Sequence, residues 1–324
     1  MAEPVDWDRA RLRMARDLTH DIRLFEIEPE GRFAPPRPGS HIQVSVQVGG
    51  RPDVRSYSTV GPCTDGAYRI AVKRLADTRG GSAYLWNLAP GARLMVTPPR
   101  SHFELGLGRS EYLLVAGGIG ITPVFGMALA LADAGARFRL LYGVRTQRDL
   151  AFADELQARI GGRLELFVSE NRRRIDLPAE IRQLAPGGEA YVCGPIGLLE
   201  AARHAWKDSG RPGASLRFET FGNSGRYAAE RFTVKIPRLA LTIEVPPSRT
   251  LLDALEGAGV DMIYDCRRGE CGLCALPILG AEGVVDHRDV FFSDEEKAVN
   301  GKLCTCVSRV VGDAITLDTG DRHA

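Results

Sequence analysis

Residues 266–274 read Cys266-Arg267-Arg268-Gly269-Glu270-Cys271-Gly272-Leu273-Cys274, a C-x4-C-x2-C run. Three thiols this close, with two glycines among them, can wrap one small inorganic cluster. Glycine lets the backbone turn tightly, and the turned amides can then bond the sulfurs. The spacing is that of plant-type [2Fe–2S] ligands, whose fourth cysteine comes from further along the chain. Two candidates follow, Cys304 and Cys306, and 29 residues separate Cys274 from the first of them. They alternate by two, so on a strand both face one way. Zinc also takes four cysteines, but its sites usually pair two C-x2–4-C units.

The rest of the composition fits this reading. Five of the seven cysteines fall between 266 and 306; the others are Cys63 and Cys193. An odd number so clustered argues against a disulfide framework. The opening MAEPVDWDRARLRMARDL lacks the apolar core of a secretion signal, so a reducing, cytoplasmic setting is expected. With 42 Lys+Arg against 41 Asp+Glu the net charge is +1, which excludes a strongly basic nucleic-acid binder. Tyr112 to Leu131 carries no charge and is long enough to span a bilayer. Gly117, Gly118, Gly120, Pro123 and Gly126 interrupt it, so it reads as a buried strand followed by a helix, and no membrane association is expected.

Working outward, the texture of the chain changes twice. Up to about residue 107, short apolar alternations (HIQVSVQV, YRIAVKR, RLMVTPP) separated by Gly and Pro predict an antiparallel β-barrel. From 108 to 222, strands such as EYLLVAGG, FRLLYGV, LELFVSE and AYVCG alternate with helical patterns, which predicts an α/β domain with a parallel sheet. LRFETFG (216–222) reads as its last strand, and residues 223–231 as a polar linker. The last part, 232–324, offers two alternating strands, a helix (TLLDALEGAG) and the cysteine cluster.

Two further motifs carry chemistry. Gly117-Gly118-Ile119-Gly120-Ile121-Thr122-Pro123 follows a buried strand and opens a helix, where free amides suit a pyrophosphate. Thr122 can add a hydroxyl, and Pro123 suits the first turn. Cys193-Gly194-Pro195 ends a later strand of the same predicted sheet, and open α/β sheets bind ligands at such carboxyl ends. In the barrel, Arg55-Ser56-Tyr57-Ser58 sits between two predicted strands, with Lys73-Arg74 and Arg79-Gly80-Gly81-Ser82 following. The arginine and the Gly-Ser amides can hold a phosphate. Tyr57 can cover a flat ring and Ser58 can donate to one. Arg145, in GVRTQRD after the second parallel strand, lies where an adenosine ribose would bind. Arg172, Arg173 and Arg174 after the third can hold a 2′-phosphate or serve as a solvated face.

In this order, R-x-Y-S, G-G-x-G-x-T-P, C-G-P and C-x4-C-x2-C, the chain resembles the reductase components of two-component Rieske oxygenases. The closest likeness is to the phthalate dioxygenase reductase and vanillate O-demethylase reductase family. Asp286-His287-Arg288-Asp289 and Cys306-Val307-Ser308-Arg309 match segments flanking the last ligand there. The resemblance implies a flavin barrel, a nicotinamide domain resembling ferredoxin reductases and a C-terminal β-grasp [2Fe–2S] ferredoxin domain. Arg55, Ser56, Tyr57 and Ser58 would contact the flavin, with Val72, Lys73, Arg74, Gly80, Gly81 and Ser82 around its phosphate. FMN is usual in this branch and FAD in the wider superfamily. Phe221 would lie near the flavin ring. NADH is the expected donor, with NADPH as the alternative. Cys-Thr-Cys306-Val resembles the Leu-Thr-Cys-Val of plant ferredoxins, which favours Cys306 over Cys304 as fourth ligand. The loop LPILGAEGVVDHRD would absorb the two extra residues. Implied too are a monomer and a transient partner, a Rieske-type oxygenase, docking on the exposed rim of Arg267, Arg268 and Glu270. A stand-alone flavin or quinone reductase is the other enzyme reading.

Overall fold

The computed structural model describes residues 6–63, 65–74, 80–221 and 227–320. Arg79 and residues 223–226 of the expected linker lie outside them. The chain divides into two compact units, one ending at Glu219 and the other beginning at Thr220.

The first unit opens with seven strands, β1 (Asp8–Asp17), β2 (Ile22–Pro29), β3 (Ser40–Val48), β4 (Arg51–Ser58), β5 (Tyr68–Lys73), β6 (Arg93–Val96) and β7 (Arg100–Ser101). They form one antiparallel sheet in the order β4-β3-β6-β1-β2-β5, with β7 on β3. A bridge between Thr59 and Ile70 joins the two edges and curls the sheet into a barrel. Alternation does the work: Ala10, Leu12, Ile42, Val44, Val46, Ile70 and Val72 point inward and are buried together. One short helix, α1 (Gly81–Trp86), plugs in Leu85.

Five parallel strands follow: β8 (Tyr112–Gly117), β9 (Phe138–Val144), β10 (Leu164–Val168), β11 (Glu189–Cys193) and β12 (Leu216–Glu219). Their order is β10-β9-β8-β11-β12. Strand order therefore reverses between β8 and β11, the point where open α/β sheets form a ligand crevice. The helices are α2 (Ile121–Asp133), α3 (Ala153–Ile160), α4 (Leu177–Gln183) and α5 (Ile196–Asp208). The uncharged stretch is thus a wholly buried strand and a helix whose residues are mostly buried in protein. No helix among the described residues is long and apolar enough to cross a membrane.

The second unit holds β13 (Phe232–Ile236), β14 (Leu241–Val245), β15 (Ala275–Asp286), β16 (Lys302–Cys304) and β17 (Arg309–Leu317), with helices α6 (Leu251–Gly257) and α7 (Asp294–Val299). The strand order is β14-β13-β17-β15-β16, and β13 and β17 run parallel at the centre. Leu251, Ala254 and Leu255 of α6 close the core over Phe232, Val234, Val310 and Ile315.

Three expectations are corrected. Arg55 to Ser58 lies within β4, not between strands. LRFETFG ends as a strand at Glu219. LPILGAEGVVDHRD is mostly the twelve-residue strand β15, not a loop. Its register against β17 shifts at Ile278/Gly280 and again at Glu282/Gly283. The first shift leaves Leu279 unpaired on β15 and the second leaves Asp313 unpaired on β17, as β-bulges do without breaking a ladder.

Candidate functional site

The cysteine loop lies between α6 and β15 and turns through three left-handed residues, Arg267 (φ 51°), Gly269 (φ 75°) and Gly272 (φ 74°). At Gly269 a Cβ would stand 2.6 Å from Val307 and 2.9 Å from the Asp289 Cα, so both space and backbone require glycine. The turn aims amides at sulfur. Arg268 N–H and Glu270 N–H each donate to Cys266 Sγ at 3.4 Å, and Gly269 N–H donates to Cys306. Burial pushes the Cys266 thiol up. Cys304 and Cys306 both hydrogen-bond the Cys274 sulfur and hold it well below the usual thiol range. Sharing their protons with Cys274, and burial, push Cys304 and Cys306 up.

These contacts form a chain. Cys271 meets Cys266, Cys306 feels Cys266 and meets Cys274, and Cys304 reaches Cys274 from the core side. An all-cysteine donor set ringed by backbone N–H groups fits an iron–sulfur cluster. The expected rim differs in detail. Arg268 and Glu270 side chains are only 12% and 18% exposed, because Thr220 N–H donates to Glu270 Oε1 (2.8 Å) and Thr220 Oγ1 donates to Arg268 O (2.6 Å). Arg267 pairs with Asp253 and Glu256 and lies 4.3 Å from the Tyr264 ring centroid. Arg267 is exposed as expected, and Leu273 and Phe291 are exposed beside it; Gly272 has no room for a Cβ because the Phe291 ring occupies it.

In the first unit, the Gly-rich turn and the Cys-Gly-Pro segment meet at the switch point. A Cβ on Gly120 would fall 2.2 Å from Cys193 O, one on Gly117 2.7 Å from Pro195 Cδ, and one on Gly194 3.0 Å from Gly117 Cα. Three bare backbones therefore line the crevice between β8 and β11. Gly118 (φ 54°) has open space around it, as a backbone that receives a ligand needs. Thr122 Oγ1 donates to Ile119 O at 3.0 Å and ties the turn, and Pro123 is buried in α2. Cys193 is fully buried. Arg145 is exposed after β9, and so are Arg172, Arg173 and Arg174 after β10, where Arg173 pairs with Glu165 at 3.2 Å.

The end of the barrel motif meets the carboxyl end of β12. Gly126 of α2 packs on Gly61, just beyond β4. Ser58 Oγ donates to Glu219 Oε2 at 3.3 Å, and both residues are buried. Glu219 was not singled out from sequence, although a carboxylate closing a strand beside Thr-Phe-Gly is an available signal. Ser56 is exposed and Tyr57 packs on the barrel core. Arg55 lies against Gly81, where a Cβ would stand 2.8 Å from its side chain, and Gly80 (φ 85°) opens α1. Ser82 Oγ is shut off from solvent and has no hydrogen-bond partner among the described residues. A buried orphan hydroxyl beside an arginine fits a phosphate-bearing cofactor. Lys73 pairs with Asp21 at 3.1 Å, and Arg74 lies 5.6 Å from the Trp86 ring centroid. Val72 is buried in the core, and its carbonyl accepts from Trp86 Nε1. Phe221 is half-buried and belongs to the second unit.

Fold and site together define an electron-transfer oxidoreductase with flavin, NAD and [2Fe–2S] modules. Comparison with known proteins agrees. The 2Fe-2S iron-sulfur cluster binding domain family matches residues 234–311, and the oxidoreductase NAD-binding domain family matches 114–204. Phthalate dioxygenase reductase of Burkholderia cepacia is 33% identical over 98% of this chain and 100% of its own length. The heme-dependent oxidative N-demethylase beta subunit of Ectopseudomonas mendocina (strain ymp) is 36% identical over 95% of this chain and 97% of its own. The solved structure of phthalate dioxygenase reductase, described as modular for electron transfer from pyridine nucleotides to [2Fe-2S], superposes with a TM-score of 0.73 at 31% identity. It covers 96% of this chain and 98% of that one. The chain belongs to the phthalate dioxygenase reductase family of oxygenase reductase components.

Proposed function

We propose that the protein is an NADH-dependent reductase that passes electrons through FMN and a [2Fe–2S] cluster to a Rieske-type oxygenase. The observation that carries this reading is the Ser58–Glu219 pair. It brings the end of the barrel motif to the carboxyl end of the last parallel strand, so the proposed flavin and nicotinamide sites share one crevice. When bound, a flavin supplies the exchange between two-electron hydride chemistry and one-electron cluster chemistry.

The residues then divide the labour. Arg55, Ser56, Tyr57 and Ser58 hold the flavin edge, and Lys73, Arg74, Gly80, Gly81 and Ser82 its phosphate, with Val72 shaping the wall behind them. Gly117, Gly118, Gly120, Thr122, Pro123, Cys193, Gly194 and Pro195 form the nicotinamide crevice, with Arg145 towards the adenosine end. Cys266, Cys271, Cys274 and Cys306 hold the cluster. Cys306 is preferred because it faces both Cys266 and Cys274 and takes the Gly269 amide, whereas Cys304 is influenced by Cys274, Cys306 and Asp289. The proposed domain limits are 1–107, 108–222 and 232–324.

The test is an anaerobic NADH titration of the purified protein, read by visible absorption and EPR. Bleaching of a flavin band together with a reduced-cluster signal supports the reading. A protein that ignores NADH after reconstitution with iron, sulfide and FMN overturns it. Ser82→Ala is expected to weaken FMN retention about 10-fold, since a hydrogen bond to a charged group is worth about 1.5–3 kcal/mol. Fluorescence titration of the apoprotein measures it, and unchanged affinity removes Ser82 from the phosphate site. A haem oxygenase is the second partner reading, favoured by the name of the N-demethylase relative. Electron delivery to purified Rieske and haem oxygenases, compared side by side, separates the two.

A further inference from the structure

We infer that Cys304 is a standby fourth ligand, able to hold the cluster when Cys306 cannot. The inference rests on the reading above, in which Cys306 is the resident ligand. The end of β16 pairs Cys304 with Ala275, and Cys274, Cys304 and Cys306 are buried together in one cluster. Cys304 is fully buried, and its thiol bonds the Cys274 sulfur. The chain then turns at once. Val307 N–H (3.3 Å) and Ser308 N–H (3.0 Å) both donate to Cys304 O, and this tight turn folds Cys306 back so that it too bonds Cys274. Thr305 anchors the turn, its N–H and Oγ1 both donating to Cys274 O, at 3.4 and 2.9 Å.

Two sulfurs, two residues apart, thus serve one partner sulfur. The surrounding pocket is largely apolar, made of Leu252, Phe292 and Val307, with the buried Asp289 carboxylate near enough to act on Cys304. An aliphatic side chain would fill the Cys304 position, so packing does not demand a thiol there. Exchange between the two positions balances simply. The iron bond to Cys306 sulfur breaks, the bond to Cys304 sulfur forms, and the Cys304 thiol proton passes to the released Cys306 thiolate. No electron changes hands. Where Cys306 is replaced, Cys304 loses its proton to solvent on binding iron, as any thiol ligand does.

The experiment uses the full chain carrying Cys304→Ala, Cys306→Ala, Cys306→Ser, or both alanines, each reconstituted anaerobically with iron(II) and sulfide. Iron and acid-labile sulfide are counted, and EPR is recorded after dithionite. Flavin content and thermal unfolding serve as the check on folding. The expected result is a native signal in Cys304→Ala. Cys306→Ala should retain most of its iron with shifted g values, and the double variant should be empty. Three results overturn the inference. One is a Cys306→Ala protein as empty as the double variant, when Cys306→Ser is folded and equally empty. Another is a double variant that retains iron as well as Cys306→Ala does. The third is an empty Cys304→Ala beside a native Cys306→Ala, which would instead reverse the ligand assignment itself.

Discussion

Gly120→Ala is expected to lower kcat/KM for NADH-driven flavin reduction about 100-fold, because misplacing a reacting group by an ångström costs that much. Backbone strain is not the reason: Gly120 is helical, with φ −61° and ψ −8°. The reason is space. A Cβ there would lie 2.2 Å from Cys193 O, 2.5 Å from Cys193 C and 2.9 Å from Gly194 N. All three are backbone atoms at the end of β11, so no rotamer change relieves the overlap. The turn and the strand end must separate by an ångström or more. That separation widens the crevice that we assign to the nicotinamide, and overpacking of this kind costs about 1–3 kcal/mol in stability. Stopped-flow absorbance under anaerobic conditions measures the rate. Iron, sulfide and flavin contents should stay native, since none of their proposed ligands touches Gly120. A rate within experimental error of the native one would place NADH elsewhere.

What could be read from sequence was what lies close in sequence. The C-x4-C-x2-C loop and the Gly-rich turn are each one short segment, so spacing alone predicts their geometry. Contacts between distant residues left little trace. Ser58 and Glu219 are 161 residues apart, and nothing in either segment announces the pair. Arg268 and Glu270 looked like a solvated rim, but Thr220, about fifty residues earlier, draws them inward. Strands β1 and β2 escaped for a different reason. In β1, Arg9, Arg11 and Arg13 alternate with Ala10 and Leu12, and the outward arginines masked a period of two that was present all along. Strand β15 was hidden by Gly280 and Gly283, which mark its register shifts and read as loop residues.

Cys266→Ser should separate the two halves of the electron path, and its effect should be the largest of any single substitution. Cys266 Sγ accepts the amides of Arg268 and Glu270 and meets Cys271, so it is the ligand that the loop is folded around. Burial pushes its thiol up, so bound metal has to keep it as thiolate. Serine supplies a hard, weakly acidic oxygen where iron and sulfide call for soft sulfur. Cys304 does not compensate, because it reaches Cys274 and Cys306 on the core side and has no contact with Cys266 among those that shift its thiol. Iron and labile sulfide are therefore expected at background, with no EPR signal after dithionite. Electron delivery to the oxygenase should fall with them by at least about 100-fold, which corresponds to about 2.7 kcal/mol. NADH-driven bleaching of the flavin should continue at the native rate, because the proposed hydride crevice lies wholly within the first unit. A variant with a full complement of iron would remove Cys266 from the ligand set. A variant that lost flavin bleaching in step with the cluster would show that the hydride half-reaction depends on the metal centre, against the division of labour argued from Ser58 and Glu219.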